Sequence, residues 1–322
     1  MASLQGRICS AILHNVNIFG SGVTLSAKEL AKLRKRMDTL AVFSNLYHVD
    51  VNPVRANGVP AEYILPKRPK KPCTDKVILY IHGGAWSMGS RRSNRSFAAN
   101  VAVTSGCRIL SVDYRLAPEF PFPAGLRDCA SAYLWLMRHE GIAAENIILM
   151  GDSSGGNMAL ALPVLLQSTN DKLPSAVIAI SPPTDFTQSG ESHRSKAKVD
   201  PLFGKLSTQM KDSIADNYIQ SHAPDDPMVS PLFADLSGFP RLLLMVGENE
   251  VLFDDCIQFG ARAREKGVEA TVIVWPGMFH LFHLFSPFIP EAQRAVEDIA
   301  EFISASDKGK AHVSLPLGYE VI

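Results

Sequence analysis

Short, nearly uninterrupted runs of apolar residues recur along the chain from about residue 76 onward. They are rich in Val, Ile and Leu and read KVILYIH, CRILSVDY, NIILMG, AVIAIS, RLLLMVG and TVIVWP. Such runs are typical of parallel strands that are buried on both faces. Between several of them, DCASAYLWLMRH, NMALALPVLLQ and DDCIQFGARAREKG have helical patterns. The alternation predicts an α/β fold with a mostly parallel, doubly wound sheet.

The region before these strands follows two other patterns. Ser26 and Glu29 have the spacing of a capping box at the start of a helix. The apolar residues at helical spacing in that helix are Leu30, Leu33, Met37 and Leu40. Further on, YHVDVNPV and AEYILP alternate in polarity on either side of Asn57-Gly58, a dipeptide typical of two-residue hairpin turns. We expect an amphipathic helix here, followed by an antiparallel hairpin at one edge of the sheet.

Two stretches interrupt the alternation of strands and helices, and they define the expected domain organisation. Residues 1–50 and 187–238 are rich in polar residues with helical patches. Open α/β sheets bind ligands beyond the carboxyl ends of their strands. We therefore predict an N-terminal helical cap segment and a cap insertion over a catalytic core of residues 51–186 and 239–305, with residues 306–322 as a C-terminal tail.

The composition of the chain limits the kinds of binding partner and the cellular compartment that we expect. Lys and Arg together number 32, as do Asp and Glu, so no strong net charge is available to recruit nucleic acid or an anionic membrane. No run approaches the roughly 18 to 20 apolar residues that span a bilayer. The cysteines, which form no C-x-x-C pair, are Cys9, Cys73, Cys107, Cys129 and Cys256. Scattered and odd in number, they suggest free thiols and a cytoplasmic location. The sequence shows no metal-ligand spacing and no dinucleotide-binding motif, so no cofactor is expected.

The segment NIILMGDSSGGNMALAL carries the first candidate for chemistry. Gly151, Ser153 and Gly155 match G-x-S-x-G between an apolar strand and an apolar helix. The sharp turn strains the backbone at the middle residue, leaves no room for bulk two positions away, and exposes the hydroxyl. This pattern predicts Ser153 as a nucleophile; the rival Ser154 stands at the wrong position in it. Asp152, beside the nucleophile, is expected to orient neighbouring loops.

A glycine-containing loop, His82-Gly83-Gly84, follows the first of the apolar strands. Acyl transfer builds an oxyanion, which backbone N–H groups stabilise only where the chain approaches closely without side chains. We expect Gly83 and Gly84 to donate to the oxyanion, together with the N–H of Ser154. His82 is expected to shape the loop. A tight turn that needs positive φ would also use two glycines. The two glycines therefore indicate an oxyanion hole only in combination with the G-x-S-x-G turn at Ser153.

The segments HGGAW, DYRLAPE and GDSSGG together resemble the hormone-sensitive-lipase-like family of α/β-hydrolase esterases, whose motifs are an HGGG-type loop and a GDSAGG elbow. The resemblance extends from about residue 76 to 305. Ala85 stands in place of the third glycine and Ser154 in place of the usual alanine. The resemblance implies the α/β-hydrolase fold with a helical cap. DYRLAPE, from Asp113 to Glu119, is expected to hold its loop by hydrogen bonds and ion pairs rather than to take part in chemistry.

A serine nucleophile needs a histidine base, and the base needs a carboxylate that fixes its tautomer. In α/β-hydrolases the acid follows a late strand and the histidine follows the last one. GMFHLFHLF supplies His280, which matches the family's G-x-x-H-x-F pattern, and His283, which is interpreted as a capping or core residue. By the same resemblance, the acid in GENEVLFDD aligns with Glu250, a departure from the usual Asp. The competing acids are Glu248, Asp254 and Asp255.

The resemblance implies a serine carboxylesterase acting on short- to medium-chain esters, with a small-molecule ester as partner and a homodimer compatible with the family. An apolar lid and cap would shape the acyl preference through Phe19, Met37, Phe43, Phe203 and Met210. Two alternatives stay open: a catalytically silent receptor, as in the plant gibberellin receptors, and an amidase, lactonase or peptidase with the same triad. The receptors have lost the catalytic histidine, whereas His280 is present here.

Overall fold

A nine-stranded sheet flanked by helices forms the body of the protein in a computed structural model that describes residues 2–15, 26–40, 46–69, 72–205, 208–305 and 320–321. The strands are β1 Val49–Ala56, β2 Val59–Pro66, β3 Cys73–Ile81, β4 Cys107–Val112, β5 Ile147–Asp152, β6 Ala176–Ile180, β7 Arg241–Gly247, β8 Ala270–Trp275 and β9 Glu320–Val321. The helices are α1 Leu4–Asn15, α2 Ala27–Leu40, α3 Arg95–Ser105, α4 Ala124–Arg138, α5 Ser154–Ser168, α6 Ser192–Ser195, α7 Thr208–Ile219, α8 Phe253–Glu265 and α9 Pro290–Ala305.

The sheet has the order β1-β2-β4-β3-β5-β6-β7-β8-β9. From β4 to β8 every pair of neighbours is parallel, and the antiparallel pairs lie at the two edges. The prediction of a mostly parallel, doubly wound α/β sheet is confirmed. Because β3, β5, β7 and β8 are parallel, their carboxyl ends lie at the same end of the sheet. The loops that carry the candidate site residues all begin at that end.

Both faces of the sheet are buried, which explains the uninterrupted apolar runs. Along β3, Leu79 and Ile81 belong to one hydrophobic core, while Ile78 and Tyr80 belong to the other. Residues of α4, α5 and α8 complete the first core, and residues of α1, α3 and α9 complete the second. A strand in this position has no solvent-facing side, so alternation of polar residues would bury unpaired polar groups.

The two N-terminal predictions agree with the structure. The side chain of Glu29 accepts hydrogen bonds from the backbone N–H and the hydroxyl of Ser26, and the N–H of Glu29 donates to the Ser26 hydroxyl. This reciprocal capping box begins α2. Strands β1 and β2 form the expected antiparallel hairpin. Its turn residues Asn57 and Gly58 have φ of 51° and 89°, the positive values of a type I′ turn.

The expectation that all the cysteines are free is wrong for one pair. Cys73 and Cys107 form a disulfide, with their Cα atoms 4.6 Å apart. They are register partners at the start of the parallel strands β3 and β4, a proximity that spacing along the chain does not reveal. Cys9, Cys129 and Cys256 are free thiols. The pairing removes the argument from cysteine usage for a reducing compartment, where disulfides are rare.

Two further observations concern the termini and the membrane. Within the segment assigned to the C-terminal tail, Glu320 and Val321 pair antiparallel with β8 at the edge of the sheet. Across the described part of the chain, no helix combines the length and the apolar character needed to cross a bilayer.

Candidate active site

Ser153 lies between the end of β5 and the start of α5, in the strained conformation that its motif predicts. Its φ of 52° and ψ of −125° lie far from helix and strand values. Both flanking glycines are required by close backbone approaches. A Cβ on Gly151 would lie 2.3 Å from the carbonyl oxygen of Gly155, and one on Gly155 would lie 2.1 Å from that of Ile81. The chain therefore turns tightly enough to present the hydroxyl only because these positions lack side chains.

This packing predicts that Gly155→Ala destabilises the fold far more than Gly156→Ala. At Gly155 the added methyl meets rigid backbone, and overpacking of this kind typically costs about 1 to 3 kcal/mol or more. A Cβ on Gly156 would lie 3.2 Å from its nearest neighbours, which is a tight contact. The higher helix propensity of alanine, worth about 1 kcal/mol, offsets its cost. Thermal unfolding of the two variants measures the difference. Equal losses of stability would contradict this account of the elbow.

Ser153, His280 and Glu250 form a continuous hydrogen-bonded chain. Nε2 of His280 lies 3.0 Å from Oγ of Ser153, and Nδ1 lies 2.8 Å from Oε2 of Glu250. Since the carboxylate can only accept, Nδ1 carries the proton and Nε2 is free to accept from the serine. All three side chains are buried. The other oxygen of Glu250 accepts from the Ser181 hydroxyl at 2.7 Å and from the Gly247 N–H at 2.6 Å.

The competing acids have other partners. Glu248 accepts from the N–H of Gly277 at the surface. Asp254 accepts from the N–H of Ser192, and it lies in the first turn of α8 as expected. Asp255 is buried, accepts from the N–H groups of Thr184 and Asp185, and contacts His193. Of the four acids, Glu250 is the one that contacts His280.

His283 is a core residue, in agreement with its interpretation from the sequence. The side chain is fully buried, and its ring packs edge-on against Phe97 and Phe282. Burial, with a smaller contribution from the charge of His280, lowers the pKa of His283 to about 3. The imidazole is therefore neutral at physiological pH and unsuited to the proton transfers of the site.

Asp152 links the elbow to the oxyanion loop. Its buried carboxylate accepts hydrogen bonds from the Tyr80 hydroxyl at 2.5 Å, from the Asn94 amide at 3.2 Å and from the Gly83 N–H at 3.2 Å. A Cβ on Gly83 would lie 2.4 Å from the same carboxylate. Burial raises the pKa of Asp152 above its ordinary value. As expected, Asp152 holds neighbouring loops; in doing so it occupies an N–H that we assigned to the oxyanion.

Of the three N–H groups predicted as oxyanion donors, that of Gly83 has a hydrogen-bond partner in the structure. Gly83 is turned toward Asp152, whereas the N–H groups of Gly84, Ala85 and Ser154 make no hydrogen bond to any residue that the structure describes. Ala85 has φ of 53° and lines the cavity that contains Ser153. The sequence did point to the loop, but it did not show which of its amides the Asp152 carboxylate engages.

His82 and the DYRLAPE segment support this loop from behind. The His82 ring stacks on Tyr114 at 4.4 Å, and the Tyr114 hydroxyl donates to the His82 carbonyl at 2.8 Å. The ion pairs of the segment are Asp113 with Arg91, Arg115 with Asp128, and Glu119 with Arg34 of α2. These contacts agree with the structural role expected for the motif.

A cavity of about 90 Å³ lies above Ser153. Its walls are mainly apolar and combine residues of the loop after β3, the segment 183–215 and the two residues that precede α8. The lining residues are Ala85, Trp86, Ser153, Pro183, Asp185, Phe186, Gln188, His193, Phe203, Ile214, Ala215, Val251 and Leu252. Of the residues expected to shape the lid and the cap, Phe203 lines the cavity and packs its ring against His280 at 4.6 Å. Phe19, Phe43 and the side chain of Met210 lie outside the described residues.

Comparison with known proteins gives the same family as the motifs. A family model for the alpha/beta hydrolase fold matches residues 78–284. An esterase of Acinetobacter venetianus is 36% identical over 278 residues, covering 85% of this chain and 89% of that protein. The crystal structure of an esterase from the bacterial hormone-sensitive lipase family superposes with a TM-score of 0.84 at 35% identity, covering 94% of this chain and 98% of the other. The chain belongs to the hormone-sensitive-lipase-like esterases. A structure of EstE5 soaked with p-nitrophenyl butyrate superposes with a TM-score of 0.85 at 34% identity and the same coverage.

The structure brings together most of the residues that the sequence predicted for the active site. Ser153, Glu250 and His280 are in hydrogen-bond contact, and the N–H groups of Gly84 and Ser154 have no partner within the described part of the chain. The sequence offered no reason to consider the N–H of Ala85, because the third position of HGGA was treated only as a departure from HGGG. Among the described residues, no group of three or more His, Cys, Asp and Glu side chains is arranged to hold a metal ion.

Proposed function

We propose that the chain hydrolyses carboxylic esters with Ser153 as nucleophile, His280 as general base and acid, and Glu250 as the group that orients and stabilises His280. The observation that carries the proposal is the hydrogen-bonded chain from Glu250 through His280 to Ser153, with distances of 2.8 Å and 3.0 Å. Members of the family are named esterases, which supports the same reaction.

The reaction has two acyl-transfer steps. Ser153 gives its proton to Nε2 of His280 and attacks the ester carbonyl, and the tetrahedral intermediate collapses as the alcohol leaves with that proton. Water then attacks the acyl-enzyme, again giving a proton to His280, and the carboxylic acid and free Ser153 are released. Glu250 keeps Nδ1 protonated throughout and stabilises the imidazolium that forms twice in the cycle.

We propose that the N–H groups of Gly84, Ala85 and Ser154 stabilise the oxyanion. None of the three has a hydrogen-bond partner among the residues that the structure describes. Ser154 also begins α5, whose N-terminal dipole favours negative charge. Loss of one such donor typically raises the barrier by about 3 to 4 kcal/mol. The hydrogen bond from Gly83 to Asp152 holds the loop so that the following two amides stay exposed to the substrate.

The size and chemistry of the cavity support short acyl groups. Engineered cavities of about 150 Å³ hold a ligand the size of benzene, and the cavity above Ser153 is smaller, at about 90 Å³. The aromatic rings of Trp86 and Phe186, 4.9 Å apart, form one wall beside the oxyanion loop. We assign this wall to the acyl group, since the ester carbonyl must point toward the adjacent amides.

We also propose that residues 1–50 and 187–238 act as a cap on the core formed by residues 51–186 and 239–305. His193, Phe203 and Ile214 come from the second of these segments and line the cavity. Arg34 of α2 donates to the carbonyl oxygens of Ser87 and Ala117, close to the oxyanion loop.

Covalent labelling tests the proposed function. Purified protein is incubated with a fluorophosphonate and digested, and the peptides are mapped by mass spectrometry. We expect one adduct on Ser153 that appears in parallel with the loss of p-nitrophenyl butyrate hydrolysis, because only an activated serine attacks phosphorus at neutral pH. Labelling elsewhere, or no labelling of active protein, would contradict the assignment.

The receptor alternative is opposed by the intact contact between His280 and Ser153. A receptor would bind an ester without turnover, and the labelling experiment separates the two. Amides and lactones use the same triad, so rates on matched ester, amide and lactone substrates decide among these chemistries.

A further inference from the structure

A second histidine–carboxylate pair lines the same cavity as Ser153 and is not used by the proposed reaction. Nε2 of His193 lies 2.8 Å from Oδ1 of Asp255. The side chain of Asp255 is 1% exposed and that of His193 is 12% exposed. Asp255 is fixed in turn by the N–H groups of Thr184 and Asp185. The pair is therefore a rigid, buried arrangement whose imidazole forms part of the cavity wall.

His193 is one of the few polar lining side chains that remain available to a ligand. Ser153 is committed to the reaction. The carboxylate of Asp185 is satisfied by the N–H and hydroxyl groups of both Thr187 and Ser189. In His193, Nε2 is held by Asp255, whereas Nδ1 makes no hydrogen bond to any residue in the described ranges. Gln188, which is exposed, lies in the same lining.

One part of the cavity wall lies next to His280, the residue that protonates the leaving alcohol in the proposed reaction. The alcohol must leave next to His280, which gives it a proton, and Phe203 packs directly on the His280 ring. Asp200 joins Phe203 to the chain after Glu250, since its carboxylate accepts from the N–H groups of Phe203 and Val251.

His193 belongs to this same wall. The hydroxyl of its neighbour Ser192 donates to the carbonyl oxygen of Val251 at 2.7 Å. His193, Phe203 and Val251 all line the cavity. With the acyl half assigned to Trp86 and Phe186, this wall is available to the alcohol half of the ester.

We propose that His193 is a specificity-determining residue that hydrogen-bonds a second hydroxyl on the alcohol half of the substrate. The preferred substrates are then short-chain esters of diols or polyols rather than of simple alkanols. With Nε2–H donating to Asp255, Nδ1 is an acceptor that fits a hydroxyl donor. Asp255 fixes the ring so that little conformational entropy is lost on binding. This inference rests on the proposed ester hydrolysis and deepens it.

Matched pairs of butyrate esters test the proposal. Propyl and 2-hydroxyethyl butyrate differ by the exchange of a methyl for a hydroxyl, and butyl with 3-hydroxypropyl butyrate extends the series by one methylene. We expect His193→Leu to lower the ratio of kcat/KM for the hydroxyl ester over its alkyl partner by about 3- to 10-fold in at least one pair, the contribution of one ordinary hydrogen bond. Comparing ratios between variants cancels the different intrinsic reactivities of the esters.

Two further variants test whether the effect is specific to the imidazole of His193. His193→Leu leaves Asp255 without its partner, so His193→Gln, whose amide can still donate to Asp255, is measured if the leucine variant fails to fold, and its ratio should fall as well. His139→Leu, the same exchange at an exposed histidine that does not line the cavity, should leave the ratio unchanged. An unchanged ratio in folded His193 variants that still cleave p-nitrophenyl butyrate would overturn the proposal. Failure of the wild type to cleave any ester would instead refute the proposed function.

Discussion

Ser153→Ala is expected to lower kcat for p-nitrophenyl butyrate by about 10⁴- to 10⁶-fold, with little change in KM. The substitution removes only the hydroxyl that contacts His280, so the cavity and the oxyanion donors stay in place and continue to bind the substrate. His280→Ala should lower kcat to a similar level, because neither group transfers a proton without the other. The residual rate comes from the oxyanion donors and from binding.

The double variant provides the decisive measurement. If Ser153 and His280 act as one unit, Ser153→Ala/His280→Ala should be no slower than either single variant. Ser168→Ala, at the exposed carboxyl end of the same helix α5, serves as a control and should keep wild-type rates. A Ser153→Ala variant that retains more than about one part in a hundred of the wild-type kcat would be incompatible with a serine triad.

The fold and the nucleophile could be predicted because each depends on local sequence. Strands buried on both faces are apolar at nearly every position, so the runs from KVILYIH to TVIVWP can be recognised as strands from the sequence alone. The elbow is equally local. The backbone at Ser153 turns so sharply that positions two residues away must be glycine, and the distances from Gly151 and Gly155 to backbone oxygens explain that requirement.

The remaining features depend on contacts between distant parts of the chain. The disulfide of Cys73 and Cys107 follows from the register of β3 against β4, which no single-sequence pattern encodes. Which N–H of HGGA has a hydrogen-bond partner depends on a carboxylate far along the chain, because the N–H of Gly83 donates to Asp152. The pairing of His193 with Asp255 likewise joins a cap segment to the start of α8.

The buried network around Asp152 connects the two halves of the proposed catalytic machinery. One carboxylate, adjacent to the nucleophile, holds Gly83 and is itself held by Tyr80 and Asn94. The Gly83 end of the loop is therefore fixed relative to Ser153 by β3 and by the residue preceding α3. A site organised in this way needs little rearrangement when a substrate binds, which is the condition for strong electrostatic stabilisation of a transition state.

The assignment of Glu250 as the triad acid leads to the second large expected effect. Glu250→Gln should lower kcat by about 10³- to 10⁴-fold while the protein remains folded. The glutamine oxygen can still accept from Ser181 and Gly247, but its amide group would face the Nδ1–H of His280. Two donors cannot pair, so the histidine adopts the tautomer that cannot take the serine proton.

Glu250→Ala should be as slow and also less stable, because it leaves the buried Ser181 hydroxyl and Gly247 N–H unpaired, at about 1 to 3 kcal/mol for each such group. Variants of the two competing acids serve as matched controls. Glu248→Gln changes a surface residue, and Asp254→Asn changes a carboxylate that accepts from the N–H of Ser192. Both should keep rates near those of the wild type on p-nitrophenyl butyrate. If Asp254→Asn rather than Glu250→Gln loses hydrolysis by orders of magnitude, the carboxylate that supports His280 has been assigned wrongly. If neither does, His280 works without an acid partner, and the 2.8 Å contact of Glu250 with Nδ1 is structural alone.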